Sequence, residues 1–408
     1  MSNIYTAIDI GSDTIKMVTV KQCRNKYHCL ASDSIKSSGV KKGIITNAAK
    51  VVEAIKTIKK KHEEKLGTSI TKVLACVFED EVSFDVLEGK INFVEEKEIT
   101  GADISDVIKQ AVSTKVLNKE EIVTTTPVSF KVDDRESIKN PKQMRGSSLR
   151  VKLLITTSPK TKLYQMLGVI DLAGIEVVDI AYKSIGDYYT VRNQEIDSEV
   201  GAIINVGEDI TNVSIFNKGI MIKTSSLSAG GHHVNSDLAY IYKIDKATAN
   251  RLKEEFATAS SNYADDLEKV EIVNNMGEKG EVSQLEISKV IEARIVEILK
   301  LAKKELKTLT KRELSYIIIT GGLTELSGFS YIVDEVFNHQ AMVWNMTVIG
   351  ARENKYSAAY GMIKYYCDKI ALRDQEATMI EDDFGKTIVE NNTKNSNVIN
   401  KMFGHFFD

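Results

Sequence analysis

Short apolar runs open the chain and predict strands at Ile4 to Asp9 and Lys16 to Val20, joined by a tight turn at Gly11, with a third strand at Tyr27 to Ser32. Val51, Val52, Ala54, Ile55 and Ile58 then predict a long helix over Asn47 to Lys65 whose other face is dense in lysine. Thr71 to Val77 returns to strand. From about Val82 to Thr161 the texture becomes that of a small inserted α/β subdomain. Its strands fall at Val86 to Phe93, Ile122 to Lys131 and Ser148 to Thr156, and its helix at Ile104 to Val112 opens with Asp103 as a first-turn or cap residue. Lys160 to Leu172 follows as helix and Glu176 to Ile180 as strand.

The opening pattern then comes back. Ala202 to Val206 is a strand, Gly207 marks a turn, and Asn212 to Phe216 and Ile220 to Ser225 are strands leading to Ala229-Gly230-Gly231. DIGSDTIKMVTV beside NVGEDITNVSIF is an internal repeat, and it predicts two similar lobes facing each other. Helices are expected at Asn235 to Tyr242, Lys246 to Ala257 and Glu286 to Leu309. A strand at Tyr316 to Thr320 runs into Gly321-Gly322, and Ser357 to Ile370 is a last helix. From Arg373 to about Ser396 an acidic, asparagine-rich run cannot assemble a core and predicts a disordered linker. Beyond it Val398, Ile399, Met402, Phe403, Phe406 and Phe407 share one helical stripe, the pattern of a short amphipathic membrane anchor.

Composition narrows the reading. With 408 residues, more than one lobe is expected, and a net charge of -3 supplies no basic field for nucleic acid. Cys23, Cys29, Cys76 and Cys367 are scattered without ligand spacing and read as reduced thiols. The first residues have no signal-peptide pattern, and no window is long and apolar enough to span a bilayer. Membrane contact is therefore assigned to the tail.

Three glycine turns, each directly after an apolar strand, carry the candidate chemistry. In Asp9-Ile10-Gly11-Ser12-Asp13-Thr14, Gly11 lets backbone approach a ligand, and the following N–H groups with Ser12 and Thr14 suit phosphate oxygens. Asp9 suits a water-mediated contact to Mg²⁺, and Lys16 is a candidate phosphate ligand. Asn205-Val206-Gly207-Glu208-Asp209-Ile210-Thr211 is the second turn, on the opposite side of the cleft. Thr320-Gly321-Gly322-Leu323 is the third, suited to lie flat against a base or ribose. No Walker-type loop is present.

These residues match the actin, Hsp70 and sugar-kinase superfamily, and over about residues 4–371 the chain resembles, more narrowly, the FtsA family of actin-like bacterial cell-division proteins. Asp9 to Thr14 resembles its phosphate 1 motif, Asn205 to Thr211 phosphate 2, Thr320 to Leu323 the adenosine motif, and Ser228 to His233 the connecting segment. Ile99, Thr100 and Asp103, with Ile138 to Pro141, Met144 and Gly146, resemble its inserted subdomain 1C. Glu292, Ala293, Arg294 and Glu297, and then Tyr356 to Gly361, resemble later signatures.

The resemblance implies an α/β, actin-like (ribonuclease H-like) two-lobed fold. It divides the chain into subdomain 1A (1–81 and 163–196), 1C (82–162), 2A (197–241 and 312–353), 2B (242–311), a helix returning to 1A (354–372), the linker (373–396) and the membrane-targeting helix (397–408). It implies ATP and Mg²⁺ as cofactors, with Asp9 and Asn205 holding the metal through water and Gly230, Gly231, Asn250 and Lys253 completing the nucleotide site. It further implies actin-like filaments and attachment to lipids on the cytoplasmic side of the plasma membrane at the division site. The FtsZ C-terminal peptide would dock on 2B through Arg294, and other divisome proteins would be partners.

The chain departs from the family where Asn205 and Asn212 replace aspartates and Asn250 replaces a glutamate. ATP binding is therefore expected with weak or absent hydrolysis, and Glu208 is the candidate base. A PilM-like assembly scaffold on the same fold is the alternative. A soluble sugar kinase would need a catalytic Asp between the lobes, for which no strong candidate stands out. An Hsp70-like chaperone would need a β-rich domain after the fold. His232 and His233 read as loop residues beside the connecting glycines, and Met342, Trp344 and Met346 as core.

Overall fold

A computed structural model describes residues 3–24, 26–375 and 378–380. The stripe of Val398, Ile399, Met402, Phe403, Phe406 and Phe407, and most of the acidic run, lie outside the described residues.

The internal repeat becomes two five-stranded sheets of one topology. The first has the order Glu176–Tyr182, Lys72–Val77, Asn3–Ile10, Thr14–Cys23, Lys26–Lys36. The second has the order Met342–Val343, Tyr316–Thr320, Val200–Val206, Thr211–Asn217, Ile220–Leu227. In each, three successive strands run antiparallel and a later strand joins the first in parallel. The inner strands Asn3–Ile10, Lys72–Val77, Val200–Val206 and Tyr316–Thr320 are buried along most of their length, as sheets covered by helices require.

Helix Ala48–Leu66 packs on the first sheet through Val51, Ile55, Ile58, His62 and Leu66. Asn47 caps its start by accepting from the Lys50 amide, and Gly67, at φ 69°, ends it. Its buried histidine was not anticipated from the sequence. His62 joins Asp33 (2.7 Å) to Thr19 (2.9 Å), and Thr19 joins Thr6 (2.8 Å), so a polar chain crosses this core with every member partnered. The second lobe is built on helix Gln284–Leu309, whose capping box pairs Ser283 with Glu286 and whose Ile287, Ile291, Ile295, Ile298 and Leu299 are buried.

The inserted segment folds as an antiparallel sheet, Ser83–Glu98, Arg145–Pro159, Glu120–Val132, Arg135–Ile138, under helix Gly101–Ser113. It has its own core around Ile104, Val107, Phe130, Leu149 and Leu153. Thr100 is the cap of this helix, and Asp103 sits in its first turn, completing a capping box. The subdomain is tied to the end of the last helix: Lys142 pairs with Asp374 (2.9 Å), and the Gly101 amide donates to Asp374 (2.8 Å).

Several readings change. A helix at Lys183–Val191 was not expected, because Gly186, Tyr188, Tyr189, Thr190 and Val191 are weak helix formers. It is held by close backbone packing, since any side chain at Gly186 would run into the Ala358 carbonyl of helix Ser357–Leu372. The helix expected over Lys246 to Ala257 is α-helical only to Arg251 and widens to a π turn over Leu252–Phe256. His232 and His233 lie in the first turn of helix Gly231–Ile241 and are not loop residues. Met346 is core, Trp344 is partly buried and Met342 is exposed. Within the stretch expected to be a linker from Arg373, Met379 and Ile380 are buried on the first lobe, and the Met379 amide donates to the Ile4 carbonyl at 3.1 Å.

Candidate functional site

The two hairpin turns have the same construction. The Gly11 amide donates to the Thr14 carbonyl at 3.0 Å, and the Gly207 amide to the Ile210 carbonyl at 3.0 Å. A Cβ at Gly11 would sit 2.7 Å from the Thr14 carbonyl, and one at Gly207 would sit 2.9 Å from that of Ile210, so both turns require glycine's small profile. At the third turn Gly321 adopts φ 107°, and a Cβ there would press on the Val206 carbonyl.

All three turns open into one cleft of about 660 Å³ between the lobes. Of the residues proposed from the sequence, Asp9, Gly11, Ser12, Asp13, Thr14, Lys16, Asn205, Gly207, Glu208, Lys253, Gly321, Gly322 and Leu323 line it. Thr211, Gly230, Gly231 and Asn250 do not. Thr211 is buried and donates to the Ala229 carbonyl (2.8 Å). Gly230 and Gly231 pack behind the second turn, where a Cβ on Gly231 would sit 2.6 Å from Glu208. Asn250 accepts from Asn235, which also donates to Glu208, so it braces the site from behind.

Asp9 is a buried carboxylate between two ammonium groups, Lys183 at 2.5 Å and Lys16 at 3.2 Å. Burial alone would raise its pKa, but the two lysines outweigh burial and hold it below the usual carboxylate range. Glu208 is raised by burial and partly offset by Lys253 at 3.6 Å, so it is a paired group and not a free base.

Several residues at the cleft were not found in the sequence. Glu79, in the loop after strand Lys72–Val77, is buried, accepts from the Ser184 amide (2.6 Å) and the Asn212 amide group (2.8 Å), and is pushed by burial to about 7. Asp187, beneath the cleft, accepts from Ser357 and from Asn205 (2.6 Å) and is raised by burial to about 6. Lys183 completes the ion pair on Asp9. At the far end Asn354 donates to Thr324 (2.9 Å) and takes the Glu325 carboxylate on its own amide. None of these follows a glycine turn, and two sit on the helix the pattern did not reveal.

The expected Mg²⁺ site does not match this donor set. Both Asp9 oxygens already face ammonium groups, and Asn205, across the cleft, is neutral. Six lysines line the cleft, Lys16, Lys36, Lys183 and Lys253 among them, and suit a polyphosphate.

Two repeated lobes closing on a cleft built from glycine turns define an actin-like protein, and solved structures share that fold. The PilM–PilN type IV pilus biogenesis complex matches with a TM-score of 0.58 at 12% identity, over 88% of this chain and 98% of that one. MreB5 of Spiroplasma citri bound to ADP matches at 0.56 and 11% identity, over 91% and 99%. The family model for cell division protein FtsA matches residues 202–361, and that for the SHS2 domain inserted in FtsA matches residues 80–157. Cell division protein FtsA of Bacillus subtilis is 26% identical over 92% of this chain and 86% of that protein. That of Streptococcus pneumoniae is 28% identical over 88% and 79%. The chain belongs to the FtsA family of cell division proteins.

Proposed function

We propose that this chain is an ATP-binding, filament-forming member of the division machinery that holds FtsZ at the cytoplasmic face of the plasma membrane. The observation that carries the reading is the convergence of three glycine turns and six lysines on one interlobe cleft. Triphosphate oxygens would meet the backbone of the first two turns with Lys16 and Lys183, and the base would lie toward Gly321, Leu323 and Asn354. Hydrolysis is weak. Glu208 is ion-paired, and Glu79, whose pKa suits a base, has both carboxylate oxygens occupied by donors.

The inserted subdomain supplies a filament contact, and the stripe from Val398 to Phe407 supplies the membrane contact. As a helix at 1.5 Å per residue, residues 397–408 would be only about 18 Å long, so attachment would be reversible and would depend on many copies acting together. The test compares the full chain with one lacking residues 397–408, in fluorescent-ATP titration and in co-sedimentation with anionic vesicles. Equal ATP binding with loss of sedimentation supports the reading. Equal sedimentation rejects the anchor, and no ATP binding by either protein rejects the nucleotide site.

A further inference from the structure

Lys183 is the first residue of helix Lys183–Val191, directly after strand Glu176–Tyr182, and its side chain lines the cleft. Three groups fix its ammonium: Asp9 Oδ1 at 2.5 Å, the Ile10 carbonyl at 3.2 Å and the Phe78 ring, whose centroid is 4.3 Å away. The Ile10 carbonyl accepts one of its three donors and the Asp9 carboxylate holds it as an ion pair, which leaves N–H capacity for a ligand oxygen. A cation held this way adds little ordering cost when phosphate arrives.

The surroundings are unfavourable to a second strong cation. Mg²⁺ in nucleotide sites is held by one or two carboxylates together with phosphate oxygens and waters. Here Asp9 carries an ammonium on each oxygen, the second from Lys16 at 3.2 Å. Asn205, across the cleft, is neutral. Asp187 lies below the floor and spends its oxygens on Asn205 and Ser357, while Glu79 spends its own on Ser184 and Asn212. Among the described residues, no group of three or more His, Cys, Asp or Glu side chains gathers at one point. A dication placed against Asp9 would have to displace Lys183 or sit beside it as a like charge.

We propose that the Lys183 ammonium takes the place of the divalent cation, so that this chain binds a nucleoside di- or triphosphate independently of metal. The inference rests on the nucleotide reading of the cleft. It assigns the charge between Asp9 and the phosphates to a side chain, with Lys16 as its companion.

The test titrates the full chain with fluorescent ATP and ADP, in excess Mg²⁺ and in EDTA. The wild-type affinities should agree within about threefold between the two conditions. Lys183→Met, which keeps most of the stem and removes the charge, should weaken binding in EDTA by about tenfold or more, and Mg²⁺ should restore part of that loss. Lys183→Gln serves as a second neutral variant, and melting of each ligand-free protein checks that the fold survives. A wild-type affinity that falls more than about tenfold on removing Mg²⁺ overturns the inference while leaving the nucleotide site in place. So do neutral variants that bind like wild type in EDTA. A folded wild-type chain that binds nucleotide in neither condition overturns the reading of the cleft itself.

Discussion

At the same place in the two repeated hairpins, the first lobe sets Asp9 opposite Lys16 and the second sets Asn205 opposite Asn212. The backbone turns are alike, yet one lobe presents an ion pair and the other two neutral amides. The partners explain the difference. Asp9 stays within its own lobe and gathers Lys16 and Lys183 at the ligand side. Both asparagines reach across to the first lobe, Asn205 to Asp187 and Asn212 to Glu79. Each meets a buried carboxylate, where an aspartate would add a second negative charge at hydrogen-bonding distance. The amides that look like losses in the sequence are therefore donors that latch the lobes together. Lys42, whose amide donates to Asp209 at 2.9 Å, and Ser214, whose hydroxyl donates to that of Ser184 at 2.8 Å, add further crossing bonds.

The largest effect expected from breaking this contrast is at Asp9. Asp9→Ala leaves two nearly buried ammonium groups without their carboxylate, and truncating one member of such a buried set costs about 3–5 kcal/mol. Urea denaturation of the ligand-free chain measures it. A cost under about 1 kcal/mol would mean the lysines simply turn to solvent, as surface pairs do.

The latch between the lobes answers to pH instead. Burial raises Glu79 from 4.5 to about 7 and Asp187 from 3.8 to about 6. A folded-state pKa above the unfolded one means the contribution is fully present below the unfolded value and is lost as pH rises through the folded one. The latch should therefore weaken from about pH 4.5 upward, and the melting temperature should fall between about pH 5 and pH 8. Asn212→Asp should steepen that fall by placing two carboxylates together, costing about 1–3 kcal/mol at the alkaline end and less at the acid end, where they share a proton. A pH-independent cost would mean that the Glu79 contact does not form.

Much of this architecture was legible in the sequence because it is periodic. The repeat around Gly11 and Gly207, the inserted strands and the helix ending at Leu309 follow from apolar spacing and turn chemistry. What escaped depends on packing between distant segments. Helix Lys183–Val191 exists because Gly186 lets it press against Ala358, and no local pattern announces that. Lys183 and Asp187 were missed with it. Glu79 sits in a short loop whose meaning appears only when Asn212 arrives from the other lobe. The sequence marked Asn205 and Asn212 as departures, but only the fold supplies the carboxylates that explain them.

The smallest expected effect separates buried from surface charge. The second lobe also carries ion pairing at its surface: Arg294 on helix Gln284–Leu309 grips Asp237 of helix Gly231–Ile241 through two nitrogens, at 2.5 and 2.9 Å, and reaches Glu297 at 2.6 Å. The pair is partly solvent-exposed, so screening limits it, and Arg294→Ala should cost only about 0.2–1 kcal/mol. If Arg294 also receives the acidic FtsZ peptide, that peptide must compete with Asp237 for the same guanidinium. Asp237→Asn, which weakens the competitor and keeps the shape, should then tighten peptide binding while Arg294→Ala weakens it, and added salt should shrink both changes. Peptide titration by fluorescence anisotropy checks this. Unequal stability costs with unchanged peptide affinity in both variants would leave Arg294 as a brace between two helices and move the partner contact elsewhere on the lobe.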